Sequence, residues 1–185
     1  NPENETYIEN LIKKHDLQNI ELTKIKDISF KTDYQEFLFS KQFYDKVLGE
    51  KILLIQTDSL LLRDFDMTYF DYDWVGAVWN QETINLTPLK TLFDNKIPIG
   101  NGGFNIRNII KCKKIAEFLN YQRPNNPINE DNIYSYLLQE NSKVLDLKLP
   151  TIEKAMEFSV ETIYHSNPLA FHAFYKYFDS SNAGI

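Results

Sequence analysis

Asp58 has the setting in which a carboxylate does chemistry. It closes the run Lys51-Ile-Leu-Leu-Ile-Gln-Thr-Asp58, in which four consecutive apolar residues give way to polar ones. That is how a strand covered on both faces of a parallel sheet reads. Ligands of open α/β sheets bind beyond the carboxyl ends of the strands, so Gln56, Thr57, Asp58 and Ser59 are expected to face one. A carboxylate there can hold a hard divalent cation, which bridges phosphate oxygens and neutralises charge on a leaving diphosphate. A single Asp after a single strand, taken alone, is also the ordinary cap of a turn.

The segment Ile99-Gly-Asn-Gly-Gly-Phe104 gathers three of the chain's six glycines around Asn101 and is expected to lead into a helix. Gly102 and Gly103 would let backbone approach a ligand and present amides to it. The spacing is neither that of a P-loop nor that of a dinucleotide fingerprint, and a flexible turn is the alternative. Glu130 and Asp131 open a further helix, where carboxylates complement the helix dipole. The functional alternative makes one of them a general base.

His172 lies among Phe171, Phe174, Tyr175, Tyr177 and Phe178. It reads either as a histidine inside an aromatic cluster or as a nitrogen ligand for a metal. His15 and His165 have polar neighbours and read as surface residues. Cys112, the one cysteine, cannot form an internal disulfide and is expected beside a helix face. Sequons at Asn4 and Asn85 carry meaning only in a secreted chain.

The elements that must position these groups alternate between helices and short apolar strands. Helical spacing covers residues 5–14, 34–48, 108–119 and 131–140, with Gly49 as the stop of the second. Strands are expected at 20–25, 51–58, 74–79 and 144–147. A Pro/Asn loop occupies 123–127, and 179–185 reads as a frayed tail. The alternation favours a layered α/β fold.

With 185 residues, the chain is expected to form one domain over 1–185. A net charge of −6 opposes a nucleic-acid surface, which needs a clustered basic field. No stretch approaches the ~20 apolar residues of a membrane span, and the N-terminus has no signal pattern. The expectation is a soluble, cytoplasmic chain. It begins Asn-Pro rather than with Met, which suggests processing or an upstream segment that has been left out.

Read in order, these pieces resemble a GT-A-type glycosyltransferase-like family, often described only as a domain of unknown function, from bacterial and giant-virus sugar-modifying proteins. The matching stretches are Ile55-Gln-Thr-Asp-Ser-Leu-Leu-Leu62, Tyr72-Asp-Trp-Val-Gly-Ala-Val-Trp79, Gly100-Asn-Gly-Gly-Phe-Asn-Ile-Arg107, Asn129-Glu-Asp131, Phe158-Ser-Val-Glu161 and Pro168-Leu-Ala-Phe-His172. The resemblance implies a GT-A-like, Rossmann-like mixed and mostly parallel sheet flanked by helices, here lacking its first nucleotide-binding strand. It implies a manganese or magnesium ion on Asp58 and His172, with Asp58 standing where the last Asp of an Asp-x-Asp motif stands. Gln56 departs from that motif, since many GT-A enzymes have its first Asp there, and this lowers the expected metal affinity.

The resemblance further implies a nucleoside-diphosphate sugar donor and a hydroxyl acceptor on a glycan or protein. Gln56, Thr57, Ser59, Asn101, Gly102 and Gly103 would line the substrate site, and Trp79 would stack on a sugar ring unless it is a core residue. The Glu130-Asp131 pair resembles that of inverting transferases, with Asp131 as the base. The competing readings are a metal-dependent phosphoester hydrolase and a non-catalytic carbohydrate- or nucleotide-binding domain. An Asn-, Ile- and Lys-rich composition fits an AT-rich, viral genome, which would place the chain in host cytoplasm or a virion.

Overall fold

The amphipathic spacing near the N-terminus folds as α1 (Pro2–Lys14), with Lys13 and Lys14 in its last turn, where cations complement the helix dipole. The structure, a computed structural model, describes residues 2–23, 33–80, 99–119 and 129–178. The helix expected over 34–48 is divided into α2 (Asp33–Leu38) and α3 (Lys41–Lys46). Ser40 makes the division: its backbone is extended and its hydroxyl accepts from Phe43 N at 3.2 Å, an N-cap. Gly49, at φ 101°, then turns the chain toward β1 (Lys51–Ile55).

Among the described strands β1 lies at the edge of its sheet and pairs antiparallel, which corrects the expectation of a parallel strand. It pairs with β6 (Phe104–Asn108), and β6 pairs on its other side with β3 (Trp74–Val75), in the order β1-β6-β3. Ile52 and Leu54 pack against one apolar cluster and Leu53 against another. Both faces of β1 therefore want apolar residues, and that demand produces the uninterrupted run. An apolar run reports coverage and not strand direction, and β1 is antiparallel to β6.

A second sheet has the order β2-β8-β7, from β2 (Ser59–Leu61), β8 (Ala170–His172) and β7 (Ser159–Val160). β4 (Ala77–Val78) and β5 (Ile99–Gly100) form a third. Among the described strands only the β7–β8 pairing is parallel, and the other four are antiparallel. The fold is thus mixed α/β with small sheets, and the mostly parallel sheet expected from the sequence is not what the described strands form.

The central strand, β6, is wholly buried, and the glycine segment leads into it before the helix α4 (Ile109–Leu119) begins. Phe104 and Ile106 enter a cluster with Tyr69, Val75, Phe158 and Leu169. A larger cluster joins α2, α3 and α4 to α5 (Glu130–Glu140) through Phe37, Leu38, Phe43, Tyr44, Cys112, Tyr134 and Leu138. α6 (Ile152–Phe158) is capped by Thr151, and α7 (Phe174–Tyr177) follows β8.

Residues 141–146 are turns and Asp146 has φ 49°, so the strand expected at 144–147 does not form. Residues 20–23 carry no strand, and no described residue before β1 lies in one. The strand expected at 74–79 is split at Gly76, where a Cβ would meet Gly100 O at 1.8 Å. The expected loop at 123–127, the tail at 179–185 and Asn85 lie outside the described residues. Among the described residues no helix is long and apolar enough to cross a membrane.

Candidate functional site

The turn after β1 is held down by the glycine segment. Gln56 N donates to Gly103 O at 2.7 Å, Ser59 Oγ donates to the same oxygen at 2.7 Å, and Ser59 N closes the turn on Gln56 O at 3.0 Å. The register of β2 against β8 sets Ser59 opposite His172. Asp58, one residue earlier, is thereby brought to the imidazole: its Oδ1 lies 3.4 Å from His172 Nε2. Its carbonyl accepts from Ala173 N at 3.1 Å. Ala173 has a left-handed backbone and swings α7 back, so that Lys176 Nζ comes within 3.7 Å of Asp58 Oδ2.

His172 is buried, with Nδ1 3.0 Å from Glu161 Oε1. Its Nε2 is also buried and has no hydrogen-bond partner. Glu161, directly after β7, uses its other oxygen to accept from Trp79 Nε1. Gly103 makes the ring's position possible, because a Cβ there would stand 2.0 Å from His172 Nε2.

Asp131 approaches from the first turn of α5. Its Oδ2 accepts from Gly102 N at 2.8 Å, and its Oδ1 accepts from Asn132 N and Nδ2 at 2.8 and 2.9 Å. The residue keeps part of its surface open, yet its carboxyl is crowded by protein. Burial, then the charges of Glu130 and Glu161, raise its pKa to about 7, against the opposing pull of the Asn132 and Gly102 donors. Tyr177 is raised by burial and then by the same Glu161 and Asp131 charges, which places its phenol in their field.

Glu130, its neighbour in sequence, also borders Gly102 but takes a different partner. It is buried and paired with Arg107, whose guanidinium also donates from Nε to Asn105 Oδ1 at 2.9 Å and lies over the rings of Trp74 and Tyr134. Burial, the largest single influence, opposes the Arg107 charge, but the Glu130 carboxylate together with Tyr44 and Cys112 holds the guanidinium pKa above its ordinary value.

Gln56, Asp58, Ser59, Gly102, Gly103, Asp131 and His172, all expected in a site, therefore meet around one glycine pair. Gly102 N–H and Gly103 C=O are already occupied by protein partners, so they build the site's frame, where the sequence suggested amides open to a ligand. Thr57 is exposed on the turn. Asn101, at φ 81°, closes the loop from within, accepting from Phe104 N at 2.9 Å. Trp79 is 7% exposed and its indole packs where a Gly100 side chain would be; it supports Glu161. Sequence reasoning gave no role to Glu161, Lys176 or Arg107. Glu161 stood within a matching stretch, but only the β7–β8 pairing shows that it faces His172.

Among the described residues no group of three or more His, Cys, Asp or Glu side chains is arranged to hold a metal ion. The Asp58–His172 pair offers two donors. Ligands each ~2.1 Å from one ion stand at most about 4.2 Å apart. The 3.4 Å between Oδ1 and the orphaned Nε2 falls within that span, so the pair fits an ion that takes its remaining ligands from substrate and water.

Fold and site together define a mixed α/β protein with a carboxylate–imidazole cluster at the end of its central sheet. The chain belongs to the family described as Protein of unknown function (DUF5672), which matches residues 17–172 and so includes every residue from Gln56 to His172. No curated protein and no solved structure matches the chain.

Proposed function

We propose that the chain is a metal-dependent glycosyltransferase of the GT-A type, moving a sugar from a nucleoside diphosphate to a hydroxyl of a glycan or protein with inversion. The observation that carries this reading is the sharing of one glycine pair by two kinds of group. Gly103 seats the Asp58–His172 pair, while Gly102 N–H holds Asp131.

A base serves best when its pKa lies near the working pH, and Asp131 is raised to about 7. In the proposed reaction it takes the proton of the acceptor hydroxyl, whose oxygen bonds to the sugar's anomeric carbon. The bond from that carbon to the diphosphate breaks on the opposite face, and the electron pair leaves with the diphosphate. Manganese or magnesium on Asp58 and His172 would supply, when bound, neutralisation of the leaving group's charge. Lys176 adds a positive charge beside Asp58, and exposed Thr57 is open to the donor. On this reading the mixed α/β architecture extends to a GT-A-like one.

The test is calorimetric titration of nucleoside diphosphates, with and without manganese, into wild type and Asp58→Ala. Binding that requires both the ion and Asp58 is expected. Absence of binding by every nucleotide, or binding indifferent to Asp58, overturns the proposal.

A further inference from the structure

We infer that Glu161 is a positioning residue that sets the tautomer of His172, with Trp79 as the clamp that keeps Glu161 in place. An ionised carboxylate only accepts hydrogen bonds. Glu161 Oε2 accepts from Trp79 Nε1, and Oε1 lies 3.0 Å from His172 Nδ1. Nδ1 therefore carries the ring's proton and donates it to Glu161, which leaves the lone pair on Nε2. That nitrogen is buried, has no other partner and faces Asp58 Oδ1.

The opposite tautomer would point an N–H at Asp58 and close the gap with a hydrogen bond, removing the donor that a cation needs. The remaining contacts leave the ring little choice of position. Gly103 backs it on one side, and β8 fixes its backbone between β2 and β7. Trp79 completes the array: its ring fills the space over Gly100 and its indole N–H ends on Glu161. Trp79, Glu161 and His172 thus form a directed hydrogen-bonded chain that ends in an Nε2 lone pair facing Asp58.

The inference concerns the site proposed for the transferase, yet its first readout is independent of that reading. Long-range proton–nitrogen NMR on the metal-free protein distinguishes Nδ1–H from Nε2–H, with the His172 signals identified by their loss in His172→Gln. Wild type is expected to show Nδ1–H. A wild-type ring carrying Nε2–H, or protonated on both nitrogens at neutral pH, overturns the inference whatever the variants do.

In Glu161→Gln the amide can donate to Nδ1, so the Nε2–H form is expected to gain population. Manganese affinity, read by calorimetry or by the spin signal of the free ion, should fall about 10- to 100-fold. Trp79→Phe removes the indole N–H together with part of the ring that covers Gly100, leaves Glu161 itself in place, and should shift both readouts in the same direction by less. An unchanged tautomer in folded Glu161→Gln also overturns the inference. Correct tautomers in a wild type that binds no manganese would instead count against the transferase and leave Glu161's role standing.

Discussion

A methyl group on Gly103 would stand 2.0 Å from both Cδ2 and Nε2 of His172, so the glycine's missing side chain is the room that the imidazole occupies. Gly102, one residue earlier, is different. A Cβ there would meet the carboxylate oxygens of Glu130 and Asp131 at 3.2 and 3.4 Å, distances that small shifts relieve.

Gly103→Ala should accordingly displace His172 and cost about 2 kcal/mol or more, the scale of overpacking a close-packed interior. Gly102→Ala should cost about 1 kcal/mol or less. Denaturant unfolding of the two variants checks the contrast, and equal midpoints would show that the ring moves aside freely.

Asp131 should make stability and transfer respond to pH in opposite directions. Its folded pKa of about 7 stands above the ordinary 3.8, so the folded state holds the proton more tightly than the unfolded chain. Its contribution to stability is therefore present at acid pH and is lost as pH rises from about 4 to about 7. Transfer, which needs the ionised base, should rise across the upper end of that window. Asp131→Asn should flatten the stability slope and lower transfer by about 10²- to 10⁴-fold. Unfolding at several pH values, paired with rate profiles, measures both.

Glu130 should matter to folding before it matters to turnover. Glu130→Ala leaves the Arg107 charge buried without its partner, a change that costs about 3–5 kcal/mol in comparable pairs. Replacing both, as Arg107→Met with Glu130→Leu, should recover much of that loss. A Glu130→Ala variant of unchanged stability but lost turnover would return Glu130 to the catalytic role suggested by its place beside Asp131.

Cys112 should be inert in the native protein. Burial pushes its thiol pKa up to about 12, with the nearby Arg107 charge pulling the other way. Thiol reagents are expected to react at the rate of unfolding, and addition of denaturant should release the full reactivity. Rapid labelling of the folded chain would contradict the burial of this side chain in the core.

Several features of the fold were legible along the chain. The helix expected at 108–119 begins one residue later, at Ile109, and the one expected at 131–140 begins one earlier, at Glu130. Of the strand expected over 51–58, the apolar part Lys51–Ile55 forms and the polar residues after it turn. The strand that organises the fold was hidden. In Phe104-Asn-Ile-Arg-Asn108 three of five residues are polar, and beyond its neighbour Asn105 the buried arginine is compensated by Glu130 and two aromatic rings that come from elsewhere in the chain. Local pattern carries no sign of such partners.

The sequence by itself determined which segments are apolar on one side or on both, where helices start, and which side chains have the chemistry of a site. Those properties are local, because they follow from side-chain polarity and the periods of helix and strand. Tertiary structure alone decided that β1 runs antiparallel to β6, that Ser59 registers with His172 so that Asp58 meets Nε2, and that Glu161 takes the other ring nitrogen. It also sent Glu130 to Arg107 and left Asp131 in the site. These outcomes depend on pairing between distant segments, where one residue of register moves a side chain to the opposite face of the sheet.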